Sequence, residues 1–497
     1  MATIKSLAKD TAVYGLSSII GRFLNWCLVP VYTIVFPAED YGVVTYIYSF
    51  VAIALVILIY GMETGFFRFV NDADEKNPIR VYSTTLLSIA ATSIMFLIAV
   101  CCFITPISDI MELPAHPDYI LIMAATVAID AFTAIPFCYL RYKKCSMRFA
   151  TIKLIGIAIN IALNIFFIIG CPYLMKVSSQ SVSWFYDSQY GVGYIFLANL
   201  LSSLAVLIML CPELRIKYVY SVKLFRKMFR YSFPILVLGV AGIMNQSIDK
   251  ILIPYILRDS AEAWSQVGIY GANYKIAIVM VMFIQAFRFA YEPVIFSQNR
   301  EKNVKKTQLY ADAMKYFIIF GYVIFLGVMF YLPVLKFFIG KAYFVGLSVV
   351  PVVMMAELFN GIFFNLSLWY KLTDRTVWGS YFSILGLVVT LTLNFLLVPK
   401  MGYMGAAWAA FFCYLVMMLV SYFVGKKYYP IQYDIKSATC YGGLMLILYI
   451  LGMNLPINSD IWLLTARTPI FIAFLVVILI NEPLPKPKFL KNQITSK

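Results

Sequence analysis

Residues 267–296, VGIYGANYKIAIVMVMFIQAFRFAYEPVIF, are long and apolar enough to cross a bilayer, since about 20 residues rising about 1.5 Å each span the hydrocarbon core. The stretch nevertheless carries Lys275, Gln285, Arg288 and Glu292. A charge inside a membrane helix costs at least about 2.5 kcal/mol, so such groups persist where they face a bundle interior or a water-filled cavity. At about 100° per residue, Gln285, Arg288 and Glu292 share one stripe, with Lys275 about a quarter turn away. Arg288 and Glu292 are spaced to pair at i,i+4 near one interface. Lys275 lies deep. The stretch therefore predicts a helix in the wall of a polar cavity inside a membrane protein.

The rest of the chain has the same character. Of its 497 residues 62% are hydrophobic and 13% charged, with mean hydropathy +0.84, against about 25% charged in soluble domains. Lipid admits only helices or closed barrels, and the long unbroken apolar runs are those of helices. Fourteen spans are predicted, at roughly 10–36, 41–70, 82–108, 118–142, 149–172, 190–212, 231–257, 267–297, 308–339, 344–371, 376–398, 402–425, 435–455 and 460–481. The amino-terminal segment reads as a retained first helix and not a signal peptide. About thirty Lys and Arg fall on one set of connections and the tail, against Lys176, Arg258, Lys336, Lys341, Lys400 and Arg467 on the other. The positive-inside rule then makes both termini cytoplasmic. The net charge of +16 follows from this bias and argues against nucleic acid as a partner.

Conventional catalysis finds no support. None of the nine cysteines forms a CxxC and the one histidine, His116, has no ligand-type neighbours, so neither a metal centre nor a cofactor is predicted. Walker A, GxGxxG, HExxH and Ser-His-Asp patterns are missing from the sequence. The expectation is a transporter, not an enzyme.

An internal repeat runs through the chain. Phe67-Arg68-Phe69 recurs as Phe287-Arg288-Phe289, Leu28-Val29-Pro30 as Leu252-Ile253-Pro254, Asp130 as Glu357, and Gly156-x7-Asn164 as Gly386-x7-Asn394. The offset drifts slowly, from 220 to 230. Residues 1–212 and 231–426 are thus predicted to be two six-helix lobes related by a pseudo-two-fold along the membrane normal, joined by a basic linker at 213–230. Residues 427–497 would add two spans and a basic cytoplasmic tail. Two such lobes around a cleft are the architecture of alternating access.

The charges inside the spans supply candidate site residues. Arg22, with Asn25 one turn on, lies midway along span one, and its guanidinium suits a phosphate through paired hydrogen bonds. Span seven carries Asp249 and Lys250, whose side chains project about 100° apart and so are expected on different walls. Asp130 and Glu357 sit about a dozen residues from their span ends. These two, with Asp249, Glu63 and Glu292, are candidate ion-coupling groups or charge partners for Arg22 and Lys275. An excess of cations over anions predicts an anionic ligand held by Arg22, Lys275, Arg288, Lys250 and Asn25.

The segments 14–44 (YGLSSIIGRFLNWCLVPVYTIVFPAEDYGVV), 61–69 (GMETGFFRF), 230–253 (RYSFPILVLGVAGIMNQSIDKILI) and 267–293 resemble the polysaccharide transporters of the multidrug/oligosaccharidyl-lipid/polysaccharide exporter superfamily, in particular Wzx-type flippases. The resemblance covers essentially the whole chain. It implies a bacterial inner-membrane protein that moves an undecaprenyl-pyrophosphate-linked oligosaccharide, a unit of O-antigen (lipopolysaccharide), capsule or another surface polysaccharide, from the cytoplasmic to the outer leaflet. It also implies coupling to H+ or Na+ and work alongside other polysaccharide-assembly proteins. Arg22, Lys275 and Arg288 fall on the matching pattern, and Asp249-Lys250 more loosely. Three other readings compete: a cation-coupled multidrug exporter of the same fold, a peptidoglycan-precursor flippase, and a membrane glycan polymerase. The short outer loops disfavour the last.

Overall fold

The computed structural model describes residues 15, 17, 19–72, 77–177, 179–258, 260–298, 306–373, 375, 377–457 and 459–482; for 179, 181, 260, 261, 290, 292–298 and 306 it describes the backbone alone. Among these residues the regular structure is helical, without strands. Twelve helices are long and apolar enough to cross a membrane, and two shorter apolar ones lie where spans one and six were expected. In chain order they are α1 Ile19–Val35, α2 Ala38–Val70, α3 Pro78–Cys102, α4 Pro117–Tyr142, α5 Ser146–Val177, α6 Gly193–Met209 and α7 Val222–Leu257. Then come α8 Glu262–Phe289, α9 Thr307–Phe330, α10 Val349–Leu372, α11 Val377–Met401, α12 Tyr403–Tyr428, α13 Ile435–Met453 and α14 Asp460–Asn481. Among the described residues, then, twelve helices meet the length and composition of a span, and the count of fourteen is not confirmed. The chain is a multi-pass membrane protein.

Local chemistry sets the helix ends. The Asn77 side chain accepts from the Ile79 and Arg80 amides beside Pro78, starting α3. Ser221 accepts from the Leu224 amide to start α7, and Asp434 from the Ser437 amide to start α13. Each satisfies one of the amides that a helix start leaves open. α2 is interrupted at Tyr60 and Gly61, both with positive φ (35° and 72°). Gly61 is required there, because a Cβ would come within 2.8 Å of the Ser232 carbonyl oxygen on α7. The break turns Met62–Val70 onto the start of α7, where Arg68 lies 4.4 Å over the Tyr231 ring. The connection expected at about 173–189 is partly helical: α5 continues through a π-helical turn, Phe166–Gly170, to Val177, and short turns follow at Ser179–Val182 and Ser188–Tyr190.

Packing divides the chain into two compact units. The first comprises Met1–Ala277 and Ile339–Gly425. Within it α7 packs on α2 and α11, α3 on α4, and α6 on α4 and α5. Two helix crossings in this unit can be compared. On α5 a Cβ at Gly156 would strike Val206 of α6, and Ser202 donates to the Gly156 carbonyl. On α11 a Cβ at Gly386 would strike Met417 of α12, and the Cys413 thiol donates to the Gly386 carbonyl. Asn164 and Asn394 each donate to the carbonyl four residues back, at 2.8 Å. The two helix crossings are built alike.

The second unit comprises Ile278–Phe338 and Lys426–Lys497. In it α13 and α14 both pack on α9. Lys315 bridges Glu482 (2.6 Å) and Asp434 (3.2 Å), and Lys336 meets Asp460 at 2.7 Å. Between these ion pairs the buried Arg467 donates to the Gly452 carbonyl at 2.8 Å and to that of Phe330. The last two helices are thus pinned to α9 and the segment that follows it at three levels.

Candidate functional site

Two charged clusters lie inside the first unit. One gathers residues of α7, α8 and α10. Lys250 Nζ meets Asp249 Oδ1 at 3.0 Å and Oδ2 at 3.3 Å, and donates to the Gln246 carbonyl at 2.9 Å. Tyr270 donates to Asp249 Oδ2 at 2.6 Å, and Lys250 lies 4.4 Å from the Tyr274 ring centroid. Tyr274 also donates to Glu357 Oε1, while Asn360 donates to Oε2 at 3.1 Å. Asp249, Lys250, Glu357 and Asn360 are all buried.

This arrangement corrects the expectation that Asp249 and Lys250 occupy different walls. The four-carbon lysine stem curls back to its neighbour's carboxylate and to a carbonyl one turn earlier, so helical projection angles do not separate the two charges. Lys250 is neutralised within its own helix.

Lys275 is different. It is half-buried on α8, it feels the like charge of Lys250, and among the described residues its ammonium has no hydrogen-bond or ion-pair partner. The Trp26 indole of α1 donates to the Lys275 backbone carbonyl at 2.8 Å. Arg22 is four residues before Trp26, hence on the same face of α1; both Arg22 and Asn25 are exposed.

The second cluster, from α1, α2, α4 and α5, centres on Lys153. The half-buried Lys153 interacts electrostatically with Glu63, Arg22, Arg141 and Asp130, and lies 5.2 and 5.5 Å from the Phe149 and Phe137 centroids. Glu63 also feels Arg141, and Ser203 donates to Asp130 Oδ1 at 2.7 Å. Lys153 was not among the expected site residues. It lies seven residues into α5, where the sequence alone reads as the basic flank of a span; its counterions come from other helices, α2 and α4. Beside it runs a polar chain: Tyr32 donates to Asn164, Asn164 and Asn160 are linked, Asn160 donates to Asn199, and Asn199 donates to Tyr48.

Arg288 is half-buried in the part of α8 that belongs to the second unit. The side chain of Glu292, and with it the expected Arg288–Glu292 pair, lies outside the described residues.

At the basic-poor ends of α1, α2 and α8, backbones touch. A Cβ on Gly268 would sit 1.8 Å from the Ala38 carbonyl oxygen, one on Gly42 2.0 Å from that of Trp264, and one on Gly340 1.9 Å from that of Thr33. Tyr343 donates to the Phe36 carbonyl at 2.9 Å and Tyr46 to Tyr255 at 3.0 Å. Only glycine allows this approach.

Comparison with known proteins agrees with this architecture. The lipid II flippase MurJ in an inward closed conformation superposes with a TM-score of 0.73 at 16% identity, covering 94% of this chain and 98% of its own. An inward-facing multidrug resistance MATE family transporter of the MOP superfamily gives 0.66 at 14% identity, covering 82% and 94%. A MATE structure in the straight conformation gives 0.61 at 15% identity, covering 85% and 95%. These likenesses establish a MurJ/MATE-type fold. No curated protein matches the sequence itself. A family model described as polysaccharide biosynthesis protein matches residues 7–300, more than half of the chain. The chain therefore belongs to the polysaccharide biosynthesis protein family.

Proposed function

We propose that this protein flips an undecaprenyl-pyrophosphate-linked oligosaccharide from the cytoplasmic to the outer leaflet of a bacterial inner membrane, with both termini cytoplasmic. Residues 1–212 and 231–426 act as the two lobes of an alternating-access transporter. The observation that carries this reading is Lys275: a half-buried ammonium with no hydrogen-bonding or charged partner among the described residues, joined through Trp26 to the helix that carries Arg22. A desolvated cation without a counterion favours an anion, and a pyrophosphate offers several oxygens to Lys275, Arg22 and Lys153 together. Family membership supports a glycan as cargo. The aromatic and amide side chains of Tyr32, Tyr48, Asn160 and Asn199 suit sugar hydroxyls. Asp130, Asp249 and Glu357 are the carboxylates through which a proton or sodium gradient would couple.

A multidrug exporter for cationic compounds needs spare negative charge, and Asp249 is already matched by Lys250. A peptidoglycan precursor shares the pyrophosphate and differs only in its sugar. The test is substitution: Arg22→Ala and Lys275→Ala are expected to abolish flipping while leaving membrane insertion intact. Wild-type rates in both overturn the cationic site.

A further inference from the structure

A cavity of about 440 Å³ opens at the basic-poor end of α5, apart from both charged clusters. Its apolar wall is made by Val35, Phe36, Phe167, Ile168, Pro172 and Met175, and its polar wall by Lys176, Tyr186 and Ser188. Three observations mark it as a site. First, its polar side chains are an ammonium and two hydroxyls, and no carboxylate lines it. None of the three makes a side-chain hydrogen bond to another described residue. Second, Phe167 and Ile168 belong to the π-helical turn Phe166–Gly170, a costly departure from the α-helix that recurs at functional sites. Third, Tyr173 and Trp184, in the same 166–194 segment, are 67% and 81% exposed and are of the residue types that sit at the headgroup level of a membrane. The Tyr186, Tyr194 and Phe167 rings are stacked at 4.7 and 5.1 Å, which makes the back of the cavity rigid.

A ligand matching these walls is negative at one end and hydrocarbon at the other. We propose that this cavity binds a phosphate-headed lipid, with Lys176, Tyr186 and Ser188 donating to the phosphate oxygens and the chain lying along Phe36, Phe167 and Met175. A lysine with two hydroxyls is a sufficient donor set for a phosphate monoester. The volume is in the range of ligand pockets. This site does not depend on which molecule the protein transports.

The test uses full-length protein in phosphatidylcholine liposomes with a trace of phosphatidic acid carrying a photoactivatable chain, the cross-linked peptides being identified by mass spectrometry. Labelling is expected on the 166–194 segment. It should fall at least fivefold in Lys176→Glu, which removes an exposed group, and in Ser188→Trp, which fills the space; the melting temperature of both should be unchanged. Competition by millimolar inorganic phosphate would identify the phosphate group alone as what is recognised, and resistance to it would identify the lipid. Equal labelling by a photoactivatable diacylglycerol, or labelling indifferent to Lys176→Glu, overturns the proposal. Because the readout is binding and not flipping, it stands or falls separately from the transport activity.

Discussion

A lysine inside a membrane helix must have its desolvation offset, and Lys250 and Lys275 meet that demand differently. Lys250 does so locally, through Asp249 and the Gln246 carbonyl. Removing one partner of such a buried pair leaves an uncompensated charge, at a cost of about 3–5 kcal/mol. Lys250→Met should therefore lower the melting temperature markedly, and adding Asp249→Asn should restore most of the loss. Equal melting temperatures for single and double variants would contradict the pair. Lys275→Met breaks no pair, so its thermal stability should stay near wild type while transport is lost. The positions of these residues could be read from the sequence, because charges in apolar runs stand out. Their pairing could not: the lysine stem reaches a neighbour that helical projection places elsewhere. Lys153 was overlooked for the same reason, since Glu63 and Asp130 approach it only in three dimensions.

At the scale of helices, the glycines decide what can close. Gly42 and Gly268 permit backbone contact between α2 and α8 that any side chain would prevent. Gly268→Val should hold that end apart. In a cysteine-free background, a thiol at Thr45, which faces Gly271 across the same contact, should then react faster with a water-soluble maleimide, by tenfold or more. An unchanged rate would mean that the contact is not a gate. A second prediction concerns α13. Hydrogen bonds from Ser437, reinforced by the Lys315 ammonium, hold the Asp434 carboxyl down at about 2. A carboxyl depressed in the folded state contributes stability that is present above its unfolded value of about 3.9 and is lost as pH falls toward 2. The stability difference between wild type and Asp434→Asn should be flat from about pH 8 to 5 and shrink below about 4; a constant difference down to pH 2 would exclude the ion pair. Helix existence was legible throughout from apolar runs. The break at Tyr60–Gly61 and the π-helical turn in α5 were not, because each is imposed by a neighbouring helix or by tertiary packing.

For the whole molecule, two helix crossings match at the residues that the sequence comparison paired, Gly156 against Val206 and Gly386 against Met417. Helices that pack equally closely need small residues such as glycine at the crossing. The span count rests on the described residues, in which twelve helices are long and apolar enough to cross and α1 is described continuously only from Ile19. What no helix reveals by itself is the cargo. The most direct measurement places purified protein in liposomes with a fluorescent undecaprenyl-pyrophosphate oligosaccharide on one leaflet and follows its arrival on the other, with and without a proton or sodium gradient. Protein-dependent movement, accelerated by one gradient and lost in Lys275→Ala, is the expected result. Failure to move any of several such glycolipids, together with uptake of a cationic dye by the same liposomes, would contradict the account and identify a drug exporter.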